Sequence, residues 1–283
     1  MSTLTLLDRS TTDTIERNIY LVLPAYNEGV ALPLLLARME ALRGELKQRA
    51  LCAKLRVILV DDGTSDSTAT VGEMWSRRSS LVFVQHEANR GIGAAVRNGM
   101  LAALELAQPN DLVVTIDTNN TQPPDLIEAM LDKVGAGADL VIASRYQPGA
   151  CVEGLSQFRR LLSDTASRVF RCALPIPNVR DYTCGFRAYR AGLLQQVVDR
   201  HSDAFCSRHA FECTVNLLLS AHVEGARCAE VPLVLRHDQK LGARKMPVVR
   251  TIANTLRLLL TWRRRLHNRK PVAAGKQYVL GRE

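Results

Sequence analysis

An apolar run, "LVVTID", ends on Asp117, and the turn after it reads Thr118-Asn119-Asn120-Thr121-Gln122 before Pro123 and Pro124. A carboxylate ending a buried strand, with an amide oxygen two residues on, can face a hard divalent cation. Asp117, Asn119, Thr121 and Gln122 are the candidate metal-facing residues. Two other apolar runs end in polar groups: "NIYLVLPA" leads into Tyr26, Asn27 and Glu28, and "LRVILVDD" ends on Asp61 and Asp62. One such end is ordinary turn chemistry. Three of them, if the topology gathers them at one edge, make a site for a polar ligand with a metal. Gly91 and Gly93 open "GIGAAVRNG". Free amide groups there can bind phosphate, or the glycines can simply begin a helix. The segment is neither a Walker loop nor a full dinucleotide fingerprint.

These residues need elements to position them. Strand signals at 18–25, 55–62, 80–87, 111–117 and 138–146 alternate with helix signals at 29–46, 65–78, 91–107 and 123–137. That alternation predicts an α/β fold, a mostly parallel central sheet flanked by helices. Ligands then bind at the carboxyl ends of the strands. Ser65 or Asp66 is expected to cap the second helix. Further on, helices are expected over 155–174 and 208–222, a loop and short strand over 179–190, and a strand over 225–236. These are expected to extend the same sheet.

A hydrophobic share of 47% in 283 residues is that of an ordinary globular protein. No uncharged apolar run reaches about 18 residues, so no transmembrane helix is expected. The N-terminus lacks the basic-then-apolar layout of a signal peptide. Seven scattered cysteines without a C-x-x-C point to reduced thiols in a cytoplasm, and away from disulfides or zinc. The net charge of +9 is concentrated: Arg236 to Lys270 holds eleven Lys/Arg and one acid. Within it, Arg250, Asn254, Arg257, Thr261 and Arg264 share one helical face, and Val249, Ile252, Ala253, Leu256, Leu259, Leu260 and Leu266 another. Such a helix lies on an anionic membrane or packs its apolar face on the domain. Few aromatic residues interleave with these basics, so nucleic acid is not an expected partner.

Taken together and in order, "LPAYNE", "VDDGTSDST", "NRGIGAAVRNG" and the Asp117 turn resemble the family 2 inverting glycosyltransferases of GT-A fold. "ASRYQPG", "FRRLLS", "VRDYTCGFRAYR", "FEC" and "AEVPLVLR" narrow the resemblance to dolichol- or polyprenol-phosphate mannose synthases. It implies a GT-A domain over 18–246, with a nucleotide-sugar half (18–146) and an acceptor half (147–246). An N-terminal extension (1–17) precedes it, and a basic amphipathic helix and tail (247–283) follow. The implied reaction moves a hexose, mannose from GDP-mannose, to a polyprenyl or dolichyl phosphate. The implied location is cytoplasmic, peripheral on the inner face of the membrane.

Residue by residue, the resemblance puts Pro24, Tyr26, Glu28, Asp61, Asp62, Gly93 and Lys245 on the nucleotide. It gives Asp117, Arg145 and Glu212 catalytic roles, and Arg145, Arg159 and Ser163 the acceptor phosphate. Mg²⁺ or Mn²⁺ is expected at Asp117. Asn119 stands where the family has a second aspartate, so weaker metal affinity is expected. A phosphate acceptor is already an anionic nucleophile, whereas a hydroxyl acceptor would need a base such as Glu212. Two alternatives stay open: a family 2 enzyme acting on a soluble hydroxyl acceptor in secondary metabolism, and a non-catalytic nucleotide-sugar binding protein.

Overall fold

The computed structural model describes residues 17–154, 157–201, 206, 210–236 and 257–264, without the side chains of 157–160, 162, 163, 166, 210 and 211. The first strands are continuous apolar runs because both faces of a parallel sheet are covered. All seven residues of β1 (Ile19–Ala25) are buried, and six of seven in β2 (Leu55–Asp61). With them alternate α1 (Leu32–Gln48), α2 (Thr68–Arg78), β3 (Val82–Gln85), α3 (Ile92–Leu104), β4 (Leu112–Thr115), α4 (Leu126–Gly135) and β5 (Leu140–Ser144). Then follow β6 (Cys151–Glu153), α5 (Gln157–Ala173), β7 (Arg187–Arg190), α6 (Ala191–His201), α7 (Ala210–Val223), β8 (Cys228–Pro232) and β9 (Val234–Arg236).

Seven strands form one sheet in the order β3-β2-β1-β4-β7-β5-β8, and β6 pairs with β9 in a second. Every pairing is parallel except those of β7, which runs antiparallel between β4 and β5. The expected α/β architecture is therefore present, and the second half of the chain does extend the first half's sheet. The inserted antiparallel strand has a consequence for the site. Its starting end, Arg187, lies at the edge where β4 and β5 finish: Arg187 registers with Thr115 and with Ile142. Helix α3 can lie close to β1 because Gly99 has no side chain; a Cβ there would stand 2.4 Å from Val22 Cγ1.

One local expectation is overturned, and two that left alternatives open are narrowed. Helix α2 begins at Thr68 after Ser67, and of the two expected residues it is Asp66 whose carboxylate accepts the Thr68 N–H, at 2.9 Å. The same carboxylate accepts the Gly29 N–H at 3.1 Å, so it ties two strand-end loops together rather than only starting a helix. The thiols are not all reduced. Cys206 and Cys213 form a disulfide across seven residues, while Cys52, Cys151, Cys172, Cys184 and Cys228 are free. No spacing rule reveals this pair; the entry of the chain into α7 brings the two sulfurs together.

The basic helix shows one of its two expected dispositions, packing on the domain. Over 257–264 it turns Leu258, Leu259 and Trp262 into the protein, and the Trp262 indole N–H donates to Asn216 Oδ1 of α7 at 2.7 Å. Its Arg257, Arg263 and Arg264 are exposed. Packing on the domain wins here because a half-polar helix can bury its apolar stripe without leaving the protein. The remaining residues of that amphipathic stretch lie outside the described ones.

Candidate active site

The loops after β1, β2 and β3 form one connected layer. Asp61 is fully buried and accepts the Thr64 N–H at 3.2 Å and the Gln85 side-chain amide at 3.2 Å. Asp62 is 2% exposed and accepts the N–H groups of Arg90 and Gly91, each at 2.9 Å. His86 Nδ1 lies 2.8 Å from Asp62 Oδ1, and Asn98 Nδ2 lies 2.9 Å from His86 Nε2. In that tautomer Nδ1–H donates to the carboxylate and Nε2 accepts from the amide. Asp62 thus shapes the loop that leads to Gly93 from below. Gly63, at φ +67°, makes this possible, since a Cβ would stand 2.4 Å from the Ala88 carbonyl carbon. Pro24 is the next-to-last residue of β1, and its carbonyl accepts the Thr118 hydroxyl at 2.8 Å. Tyr26 and Glu28 are half-buried in the loop that follows.

The loop after β4 holds its carboxylate firmly. Asp117 donates its N–H to Gln122 Oε1 at 3.0 Å, and Gln122 Nε2 donates back to Asp117 Oδ2 at 3.1 Å. Asn119 Oδ1 accepts the Thr121 hydroxyl at 2.7 Å and the Thr121 N–H at 3.2 Å. Asn120 sits at φ 59° and its amide oxygen accepts from Arg38 at 3.0 Å. Of the four metal-facing candidates, Asp117 is the one carboxylate. Gln122 orients it, while Thr121 occupies the Asn119 oxygen. No cluster of three or more acidic, His or Cys side chains suited to a metal occurs among the described residues.

On the acceptor side, Arg145 follows β5 and meets Asp181. Its Nε donates to Asp181 Oδ2 at 2.8 Å, and its Nη2 to Asp181 Oδ1 at 2.7 Å and to Thr183 Oγ1 at 2.5 Å. Asp181 is fully buried and also accepts the N–H groups of Arg145, Thr183 and Cys184. Burial alone would push its carboxyl upward; the guanidinium and the backbone donors outweigh that and hold it below the usual carboxylate range. Burial likewise lifts the neighbouring Cys184 thiol to about 12, so it stays protonated. Glu230 of β8 accepts the N–H groups of Arg180 and Asp181 at 2.7 Å each, and its other oxygen accepts from Gln147. Arg159 and Ser163 lie on α5, with side chains outside the described residues.

Because β7 is antiparallel, the loop before it, 181–186, crosses the edge between these two centres. At one end Asp181 grips Arg145. At the other, Gly185 faces Asp117: a Cβ there would stand 3.9 Å from Asp117 Oδ1 and 4.0 Å from Thr214 Oγ1. A pocket opens at this point, lined by Pro24, Ile92, Val96, Thr115, Ile116, Asp117, Gly185, Tyr189, Cys213, Thr214 and Leu217. Glu212, one residue before Cys213, sits half-buried in the first turn of α7. Arg187 is fully buried and braces that helix by donating to the Thr214 carbonyl at 2.6 Å.

The structure thus gathers Pro24, Asp117, the Gly93 turn and the α7 start around one pocket, with Arg145 on the same edge. Lys245 and the rest of the late basic loop lie outside the described residues. Residue-type reasoning missed His86, Asn98, Asp181 and Thr214. Asp181 lay within a quoted motif, but nothing in its spacing marks it as the partner of Arg145, 36 residues away.

A mostly parallel sheet with a pocket beside Asp117 at its carboxyl edge, and an antiparallel strand inserted next to it, is the GT-A fold of glycosyltransferases. The chain belongs to glycosyl transferase family 2, whose model matches residues 20–198. It is 32% identical over 231 residues to polyprenol monophosphomannose synthase of Mycolicibacterium smegmatis, covering 80% of this chain and 79% of that one. It is 30% identical over 226 residues to undecaprenyl-phosphate mannosyltransferase of Micrococcus luteus, covering 80% and 86%. Among solved structures, glucosyl-3-phosphoglycerate synthase of Mycobacterium tuberculosis with Mn²⁺, UDP and its product shares the fold at TM-score 0.57 and 21% identity, over 90% and 82% of the two chains.

Proposed function

We propose that this glycosyltransferase moves a hexose from a nucleoside diphosphate sugar to a polyprenyl phosphate, with mannose from GDP-mannose as the donor. The observation that carries the proposal is the 181–186 loop, which joins the Asp117 pocket to Arg145 across one sheet edge. A donor's reacting carbon and an anionic acceptor both need to be at that edge. The relatives named for transfer to polyprenyl phosphates support the acceptor class.

Asp117, with Asn119 beside it, would hold a divalent ion through side-chain oxygens. Asn119 offers no charge and its oxygen already accepts twice, so the protein alone would hold the ion weakly. When bound, such an ion neutralises charge on the departing diphosphate. The chain's own residues do the rest. Gln122 fixes the Asp117 carboxylate. Asp62 takes up the Arg90 and Gly91 N–H groups and so fixes the turn that opens α3, at whose start a diphosphate would sit. Arg145, held rigid by Asp181, orients the acceptor phosphate for in-line attack. A phosphate oxygen forms the new bond to the anomeric carbon as the bond to the diphosphate breaks. No proton has to move, because the attacking oxygen is already anionic.

The test is incubation with radiolabelled GDP-mannose and undecaprenyl phosphate, followed by organic extraction. Label is expected in the organic phase, and in Asp117→Ala it should fall by at least about a hundredfold. Label that stays in water, in a soluble glycoside, contradicts the acceptor assignment.

A further inference from the structure

Among the described side chains, the acceptor side is short of positive charge. Arg145 cannot supply a full one, because its guanidinium is matched by the buried Asp181. Two more carboxylates stand close by. Glu230 binds the 180–181 backbone, and Asp164 of α5 accepts the Tyr146 hydroxyl at 3.0 Å. Around Arg145 and Tyr146, then, the described side chains set three carboxylates against one guanidinium that is itself paired, a balance unfavourable to a dianionic phosphate unless further cations join it.

Arg180 alters it. Its backbone is pinned by Glu230, its Nη1 donates to the Tyr146 carbonyl at 3.3 Å, and its side chain is exposed. Among the described residues it has no carboxylate partner. The two segments are cross-tied: Arg145 binds Asp181, and Arg180, one residue before Asp181, binds the residue after Arg145. That places a second guanidinium, exposed and without a carboxylate partner among the described residues, beside the residue that follows Arg145.

We propose that Arg180 binds the phosphate of the acceptor and supplies the positive charge that Asp181 cancels on Arg145. This rests on the phosphate-acceptor reading above and adds a residue to it. A planar guanidinium reaching past a backbone carbonyl suits a phosphate monoester, which takes two parallel N–H donors.

The experiment titrates a short-chain polyprenyl phosphate at saturating donor, for wild type, Arg180→Gln and Arg180→Lys, with Tm measured for each. Acceptor KM should rise about tenfold in Arg180→Gln, the scale of one charge-assisted hydrogen bond, and less in Arg180→Lys. Donor KM and Tm should not move. An unchanged acceptor KM in Arg180→Gln overturns the role, as does a rise in both KM values that tracks a lowered Tm. A wild type that neither binds nor glycosylates any polyprenyl phosphate overturns this proposal together with the function on which it rests.

Discussion

Asp117 is the one carboxylate among the residues that line the pocket, and its neighbours fix how it is held. Gln122 contacts it twice, and Thr121 occupies the oxygen of Asn119. Asn119→Asp adds a charge beside it and should lower the Mn²⁺ concentration needed for half-maximal activity by about tenfold, read by metal titration. No change in metal dependence would mean that position 119 does not face the ion. Asp181 is the other decisive residue. Its folded pKa lies below its unfolded value of about 3.9, so folding favours the ionised form. That stabilisation is complete above about pH 4 and is lost as pH falls through the depressed folded value. Asp181→Asn removes it and strands Arg145, at a cost of about 3–5 kcal/mol at neutral pH. Urea unfolding at neutral and acid pH should show the gap between variant and wild type narrowing as pH falls. A constant gap would mean that the carboxylate's charge is not what matters.

At the scale of elements, two ties hold the pocket wall. Asp62 and His86 shape the turn into α3, and the Cys206–Cys213 disulfide anchors the start of α7, with Cys206 Sγ 3.1 Å from the Gly93 carbonyl oxygen. Alkylation of the unfolded, unreduced protein should label five cysteines, those that are free. Labelling of all seven would remove the bridge. Reduction should cost about 2–3 kcal/mol. The alternating strands and helices, and the acids at their ends, were legible because a parallel sheet demands long apolar runs and shows its ligand at one edge. β7 was readable only as a short strand in a loop. Its direction comes from tertiary pairing with β4 and β5, which a four-residue strand does not encode. The partnership of Arg145 with Asp181, and the disulfide, were hidden for the same reason. Both depend on segments far apart or turned back on themselves, and local pattern is silent about such contacts.

For the whole molecule, the balance of charge and apolar surface sets how a lipid acceptor is met. No described helix is long and apolar enough to cross a membrane. The segment 257–264 instead keeps its apolar side on α7 and turns arginines outward. Binding to vesicles should therefore depend on anionic lipid and weaken steeply with salt, measured by co-sedimentation. Binding that is indifferent to both would mean that contact is hydrophobic. In the proposed reaction one sheet edge joins a nucleotide-sugar pocket to a phosphate acceptor. Mass spectrometry of the lipid after reaction with a nucleotide sugar tests it most directly. A polyprenyl phosphate heavier by one hexose residue is expected, formed by wild type and absent with Asp117→Ala. An unaltered lipid beside a newly glycosylated soluble alcohol would contradict it.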